Sequence, residues 1–243
     1  NSVVGRFGYQ FSKKRVSTSR PNIINLAKEG EDRDWRQLAM YNHIMEEVRE
    51  IPGDICEFGV AGGTSFSAFL RLNKLYDAYG SHRVARRKLF GFDTFQGLPY
   101  FDRELDASST SVRDMEIGGF DSSDDFDELS DIISKYDNAK LYKGSFEDTL
   151  PIFFKDHKEA SFCLIHIDCD LHASTLTALK ETLPRLNVGG IVLFDEIFHL
   201  DFPGETSGFF EAYNRLLKEG FAGKLSFKRI AAMPWKWYCV REL

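Results

Sequence analysis

Nowhere in the 243 residues does an apolar run approach the roughly 18 to 20 residues needed to cross a bilayer, and the opening stretch NSVVGRFGYQFSKKRVS has no signal-peptide core. A soluble, cytoplasmic protein with no membrane partner is therefore expected. No segment is dense in lysine and arginine, and 31 basic against 37 acidic residues give a formal charge of -6. Nucleic acid is a poor partner for such a chain, because its recognition needs basic residues clustered on one face. Cysteine is scarce: Cys56, Cys163, Cys169 and Cys239 show no CxxC spacing, and each sits in an apolar, strand-like run. Neither disulfides nor a zinc site is expected. A GxGxxG fingerprint is also missing, which counts against a standard dinucleotide site.

What is present is enough apolar sequence, 43% of residues, to fill one large α/β core. The first 34 residues are basic-polar with scattered aromatics (Phe7, Tyr9, Phe11) and read as an arm or lid, able to close over substrate or to contact another subunit of a homo-oligomer. From Trp35 onward Leu38, Tyr41, Ile44, Met45 and Val48 recur at helical spacing, and Pro52-Gly53 ends that helix. Strand-like and helix-like runs then alternate: DICEFGV, a helix over 64–79, KLFGFDTF, a helix near 124–136, AKLYKGSF and a short helix over 150–154. SFCLIHID, a helix over about 174–186 and GGIVLFDE follow. Continuous apolar strands separated by helices indicate a parallel sheet covered on both faces. LSFKRIAAMPWKWYCV breaks the rule. Its two strand-like pieces meet around Met233-Pro234 with no room for a crossover helix, so an antiparallel hairpin closes the sheet. The acidic, serine-rich segment 100–123 follows a strand's C-terminal end and is either a solvated loop or a substrate-covering lid.

The strand ends carry the chemistry. EFGVAGGTS opens a helix from a glycine-rich turn, where backbone can approach a ligand and free N–H groups point outward; Ala61 stands where a dinucleotide site has its second glycine, with Gly62 and Gly63 following. Asp93, ending FGFD, suits both hydroxyls of a ribose, or caps its own turn with Thr94 and Gly97. HIDCD and FDE place Asp168, Asp170, Asp195 and Glu196 on neighbouring strand ends, where they hold a hard cation or cap the following helices. His166 alternates with Ile165 and Ile167 and reads as a hydrogen-bonded core histidine. His43 reads as structural, and Trp235, Trp237 and Tyr238 as hairpin packing.

Together EFGVAGGTS, GFDTFQGLP, KGSFEDTLP, HIDCDLHAST, GGIVLFDE and the closing hairpin resemble the macrocin O-methyltransferase family, S-adenosylmethionine-dependent enzymes that methylate sugar hydroxyls. The similarity runs from about residue 36 to 243. It implies a class I Rossmann-like methyltransferase fold: α/β, with a mostly parallel seven-stranded sheet and an antiparallel C-terminal hairpin. By this resemblance Glu57, Gly59 and the turn Ala61 to Ser65, including Thr64, surround the methionine part of the cofactor. Asp93 binds its ribose, Gly144, Ser145 and Phe146 flank its adenine, and Asp168 lies beside it. A magnesium ion is implied on Asp168, Asp195 and Glu196, although relatives usually carry two aspartates where this chain has Asp195-Glu196, and a tyrosine is common where it has His172.

A metal would lower the pKa of the acceptor hydroxyl and fix its oxygen in line with the sulfonium methyl. Asp168, Asp170, His172 or His199 could take the proton. The expected acceptor is a sugar hydroxyl of a glycan or natural product. Alternatives are metal-dependent methylation of a small phenolic diol, an NAD(P)-dependent oxidoreductase, and a non-catalytic protein whose acidic strand ends only cap helices.

Overall fold

The computed structural model describes residues 32–79, 86–107 and 117–243. Arg36 to Leu243 form one compact unit. Almost all of the expected arm, with Phe7, Tyr9 and Phe11, lies outside the described residues, as does the middle of the acidic segment.

Seven strands follow one another as β1 (Asp54–Phe58), β2 (Leu89–Asp93), β3 (Ala139–Lys143), β4 (Phe162–Ile167), β5 (Leu186–Phe194), β6 (Lys224–Ile230) and β7 (Met233–Glu242), in spatial order β3-β2-β1-β4-β5-β7-β6. β1 to β5 are parallel, and β7 runs antiparallel to both β5 and β6. The order reverses between β1 and β4, and ligands of open α/β sheets bind at that kind of switch point.

Among the described residues six helices cover the sheet: α1 (Asp32–Glu47), α2 (Thr64–Tyr79), α3 (Ser123–Ile133), α4 (Phe146–Asp156), α5 (His172–Thr182) and α6 (Gly204–Lys218). One face packs Met40, Tyr41, Ile44, Phe66, Phe69 and Leu129 from α1 to α3 against Leu164, Leu193 and Tyr238. The other packs Leu150, Phe153, Leu179, Phe209 and Leu216 from α4 to α6 against Phe58, Phe92, Ile165, Val192 and Phe194. Both faces of β4 are buried, which is why its sequence is apolar but for His166.

Several expectations need adjustment. Leu38 belongs to the helical pattern but is exposed, so α1 buries a narrower stripe from Met40 onward. α4 begins four residues before the expected 150, because the Ser145 hydroxyl accepts the Asp148 N–H and caps it. α5 starts at His172 and gives way to a 3-10 turn, Leu183–Arg185, at Pro184. The hairpin turns at Ala231-Ala232, just ahead of Met233. The helix α6 is absent from the sequence reading. Its buried Phe209, Ala212 and Leu216 do recur at helical spacing, but glycines at 204 and 208 blur the pattern.

Candidate active site

Backbone bonds carry the parallel ladders one residue past the strands. Gly59 N–H donates to Phe92 O, Asp168 N–H to Phe58 O, Asp195 N–H to Ile167 O and Gly144 N–H to Asp93 O. These bonds bring the residues after β1, β2, β3, β4 and β5 to a single edge. Gly59 is obligatory there. Its φ is +90°, and a Cβ would lie 1.6 Å from the Asp168 carbonyl oxygen. Four non-glycine residues following the strand ends also have positive φ: Ala61 (46°), Phe95 (55°), Asp170 (58°) and Phe198 (64°). Such strained backbone gathers where a site over-determines its geometry.

The turn after β1 leaves Ala61, Gly62 and Thr64 exposed, and the nearest atom to a Cβ at Gly62 is Asp125 Oδ2 at 3.9 Å. It is open to a ligand. Glu57 is buried beneath it, with Oε1 accepting the Ser65 hydroxyl and Oε2 lacking a partner. His166 is the expected core residue, but its Nδ1 is unpartnered and lies 3.7 Å from Glu57 Oε1. Asp93 serves the turn directly: Oδ2 accepts Val60 N–H (2.7 Å) and Ala61 N–H (2.8 Å), and Oδ1 accepts Phe95 N–H (2.6 Å). A carboxylate offers roughly four acceptor positions, so three are spoken for. Room remains for one ribose hydroxyl rather than the expected two. Ser145 spends its hydroxyl on Asp148 (2.8 Å), and Phe146 sits edge-on to Phe58 in the core with centroids 5.1 Å apart.

On the β4 and β5 side, Asp168, Asp170, Asp195 and Glu196 come together as expected, joined by two residues not anticipated. Glu205, at the start of α6, is fully buried; its Oε2 accepts Glu196 N–H at 2.8 Å, and its Oε1 has no partner. Lys236 points inward from β7, donating to Asp195 O at 2.8 Å and pairing with Asp195 Oδ1. An acid in the first turn of a helix normally serves the helix dipole, which hides Glu205. The signal for Glu205 is Gly204, where a Cβ would lie 2.2 Å from Asp170 O. For Lys236 the signal is its place on the inward side of the W-K-W alternation.

Crowding shapes the protonation of these groups. Burial, then the Asp195 and Asp170 charges, push the Asp168 carboxyl well above the usual range. Burial and Asp195 raise Asp170 to about 6 and Glu196 to about 7. Glu205 is likewise pushed well up by burial and Asp195. Burial alone would lower Lys236, but the Asp195 carboxylate outweighs it and holds the ammonium above its ordinary value. Tyr41, on α1, lies near this edge too; burial, then Glu57, Asp168 and Asp195, drive its hydroxyl upward.

Of the four proton acceptors considered, His172 does not qualify. Nδ1 contacts the Ser207 hydroxyl at 2.8 Å and Nε2 the Glu211 carboxylate at 2.9 Å, so the ring ties α5 to α6. His199 lies half-exposed against Phe202, and its Nδ1 accepts the Asp201 N–H at 3.2 Å. Asp170 combines a suitable pKa with a place on the strained turn. The described part of the acidic segment is anchored at this edge: Asp106 Oδ1 accepts His172 N–H at 2.6 Å, and Leu98 is bonded to Gly118 and Gly119.

As donors, these carboxylates suit a hard divalent ion, and the buried Glu205 Oε1 is left without a hydrogen-bond partner. As the side chains stand, no three acidic, histidine or cysteine groups among the described residues converge as a metal site. Lys236 holds the Asp195 carboxylate instead.

A profile described as Macrocin-O-methyltransferase (TylF) matches residues 9–215. The chain is similar to the 8-demethyl-8-(2,3-dimethoxy-alpha-L-rhamnosyl)-tetracenomycin-C 4'-O-methyltransferase of Streptomyces olivaceus, 29% identical over 150 residues, 60% of this chain and 53% of that protein. It thus spans about half the length of that relative. A second similar protein is the demethyldecarbamoylnovobiocin O-methyltransferase of Streptomyces niveus, 28% identical over 206 residues, 75% of this chain and 70% of that one. Among solved structures, CalS11, a calicheamicin methyltransferase, superposes with a TM-score of 0.68 at 24% identity, covering 92% of this chain and 87% of its own. The O-methyltransferase NovP gives 0.59 at 22%, covering 86% and 80%. These superpositions establish the shared fold. With its glycine turn and strand-end carboxylates in place and the profile spanning most of its length, the chain belongs to the macrocin O-methyltransferase family.

Proposed function

We propose that the protein transfers a methyl group from S-adenosylmethionine to a hydroxyl on a sugar of a natural product or glycan. One observation carries this reading: in a member of this family, the turn after β1 meets Asp93 through Val60 and Ala61 and the Asp168 backbone through Gly59. Gly59 bonds to Phe92 beside Asp93 and packs on Asp168. This reading puts the nucleoside on the Asp93 side of that turn and the acceptor on the Asp168 side.

S-adenosylmethionine supplies a methyl carbon activated by its sulfonium, and the acceptor oxygen takes that carbon as the bond to sulfur breaks. The N–H groups of Thr64 and Ser65, which open α2, receive the methionine carboxylate, while Ala61 and Gly63 spend theirs on Asp93 and Val60. Asp93 accepts one ribose hydroxyl while holding Val60 and Ala61 in place, and Ser145 and Phe146 border the adenine. The surplus of carboxylates favours the sulfonium cation and orients it toward Asp168. Asp170, with its pKa near 6, is ionised at neutral pH and basic enough to take the acceptor's proton. His199 lines the outer side. Asp168, Asp195 and Glu196 would hold a magnesium ion, which when bound supplies Lewis acidity toward the acceptor hydroxyl.

Calorimetry with S-adenosylhomocysteine and with NADH tests the cofactor; heat from NADH alone would replace this reading with an oxidoreductase. Turnover on glycosylated acceptors against catechols then separates sugar methylation from methylation of phenolic diols.

A further inference from the structure

Lys236 has no place in the reaction as described, yet it sits in the middle of its charges. Only 8% exposed, it reaches from β7 across the end of β5, and its ammonium contacts Asp195 through both the backbone carbonyl and the carboxylate. Among the described residues it is the only lysine or arginine paired with any of Asp168, Asp170, Asp195, Glu196 or Glu205. Glu205 Oε1, fully buried beside the same group, has no partner. The cluster thus holds one positive charge and has donors left over for another.

We propose that Lys236 is the resident cation of this cluster, and that a divalent ion occupies it only in exchange for the Lys236 ammonium on Asp195. The reasoning is steric and electrostatic. An ion on Asp195 and Glu196 would lie within a few ångströms of Nζ, where two cations repel strongly and compete for the same oxygen lone pairs. Lys236 carries its ammonium on a long flexible stem, so the head can withdraw from Asp195 while the backbone of β7 stays in place. Released, it leaves Asp195 to the ion, and Glu205 Oε1 gains a positive neighbour. This inference rests on the reading of the cluster as the acceptor side of a methyltransferase.

Manganese serves as the probe, its free form counted by electron paramagnetic resonance with no acceptor present. Lys236→Met should bind Mn²⁺ at least about tenfold more tightly than the unsubstituted protein, in the range of ordinary coupling between sites, and Asp195→Asn added to it should abolish the gain. Equal or weaker binding by Lys236→Met, or no binding by either protein, would overturn the proposal. A measurement on the unsubstituted protein guards against a variant that fails to fold: acetylation by an amine-reactive ester, read peptide by peptide, should mark Lys236 more when Mg²⁺ saturates the site. Unchanged marking would overturn the exchange. S-adenosylhomocysteine binding on the same samples judges the methyltransferase reading separately, since it does not pass through Lys236.

Discussion

Replacing Gly59 by alanine would test whether the turn after β1 is held by direct backbone contact with Asp168. An alanine Cβ would sit 1.6 Å from the Asp168 carbonyl oxygen and 2.5 Å from its carbon. An ordinary C···O contact is about 3.3 Å, so the two strand ends must part by roughly 1.7 Å. That movement is enough to break the ladder bond on the β4 side, Asp168 N–H to Phe58 O at 2.9 Å, which contributes about 1 kcal/mol. The positive φ adds about 1 to 2 kcal/mol for an L-residue. The sum is about 2 to 3 kcal/mol, or on the order of 5 to 10 °C in melting temperature for a domain of this size. Gly220→Ala is the control: its φ is +96°, yet nothing lies within 4 Å of the added methyl. Scanning calorimetry should therefore show Gly59→Ala melting well below Gly220→Ala, with S-adenosylhomocysteine affinity lost only in the former. Equal melting temperatures would refute the claim that this contact holds the site together.

Asp170→Asn should reduce turnover by about 10² or more without lowering S-adenosylhomocysteine affinity. Because the folded carboxyl titrates near 6, the unsubstituted enzyme should gain activity as pH rises through that value and Asp170 loses its proton. A pH–rate profile with no such limb would count against Asp170 as base. His172→Ala should cost stability, about 1 to 3 kcal/mol by urea unfolding, as the Ser207 and Glu211 contacts go, with the maximal rate largely kept; loss of rate at full stability would restore His172 as a base. Phe153→Ala, which empties the ring cluster of Phe90, Phe92 and Tyr142, should destabilise the fold by about 3 to 5 kcal/mol.

The parallel sheet was legible because β1, β2, β4 and β5 are buried runs ending abruptly in acids or glycine, a break that neither a surface strand nor a helix produces. The grouping of Asp168, Asp170, Asp195 and Glu196 followed from the same ends, since parallel neighbours bring their C-termini together. The detail that escaped lies in contacts between distant segments. Asp93 ends a strand whether it binds ribose or amides, and only the approach of Val60 and Ala61 shows how few acceptor positions it has left. His172 looks like a free base until Ser207 and Glu211 arrive from a helix thirty-odd residues away. Glu205 and Lys236 look like a helix-dipole acid and a surface lysine, and their burial depends on β5 and β7 lying side by side.

The hairpin that carries Lys236, residues 224–242, lies beyond residue 215, where the family profile ends. The cation on Asp195 thus comes from a strand that the profile match does not reach. A single substitution on β7 can retune the electrostatic character of the acidic cluster while every glycine and acid at the ends of the parallel strands stays as it is. The charge at the ends of β4 and β5 is therefore set from a different segment of the chain than the one that shapes the glycine turn after β1.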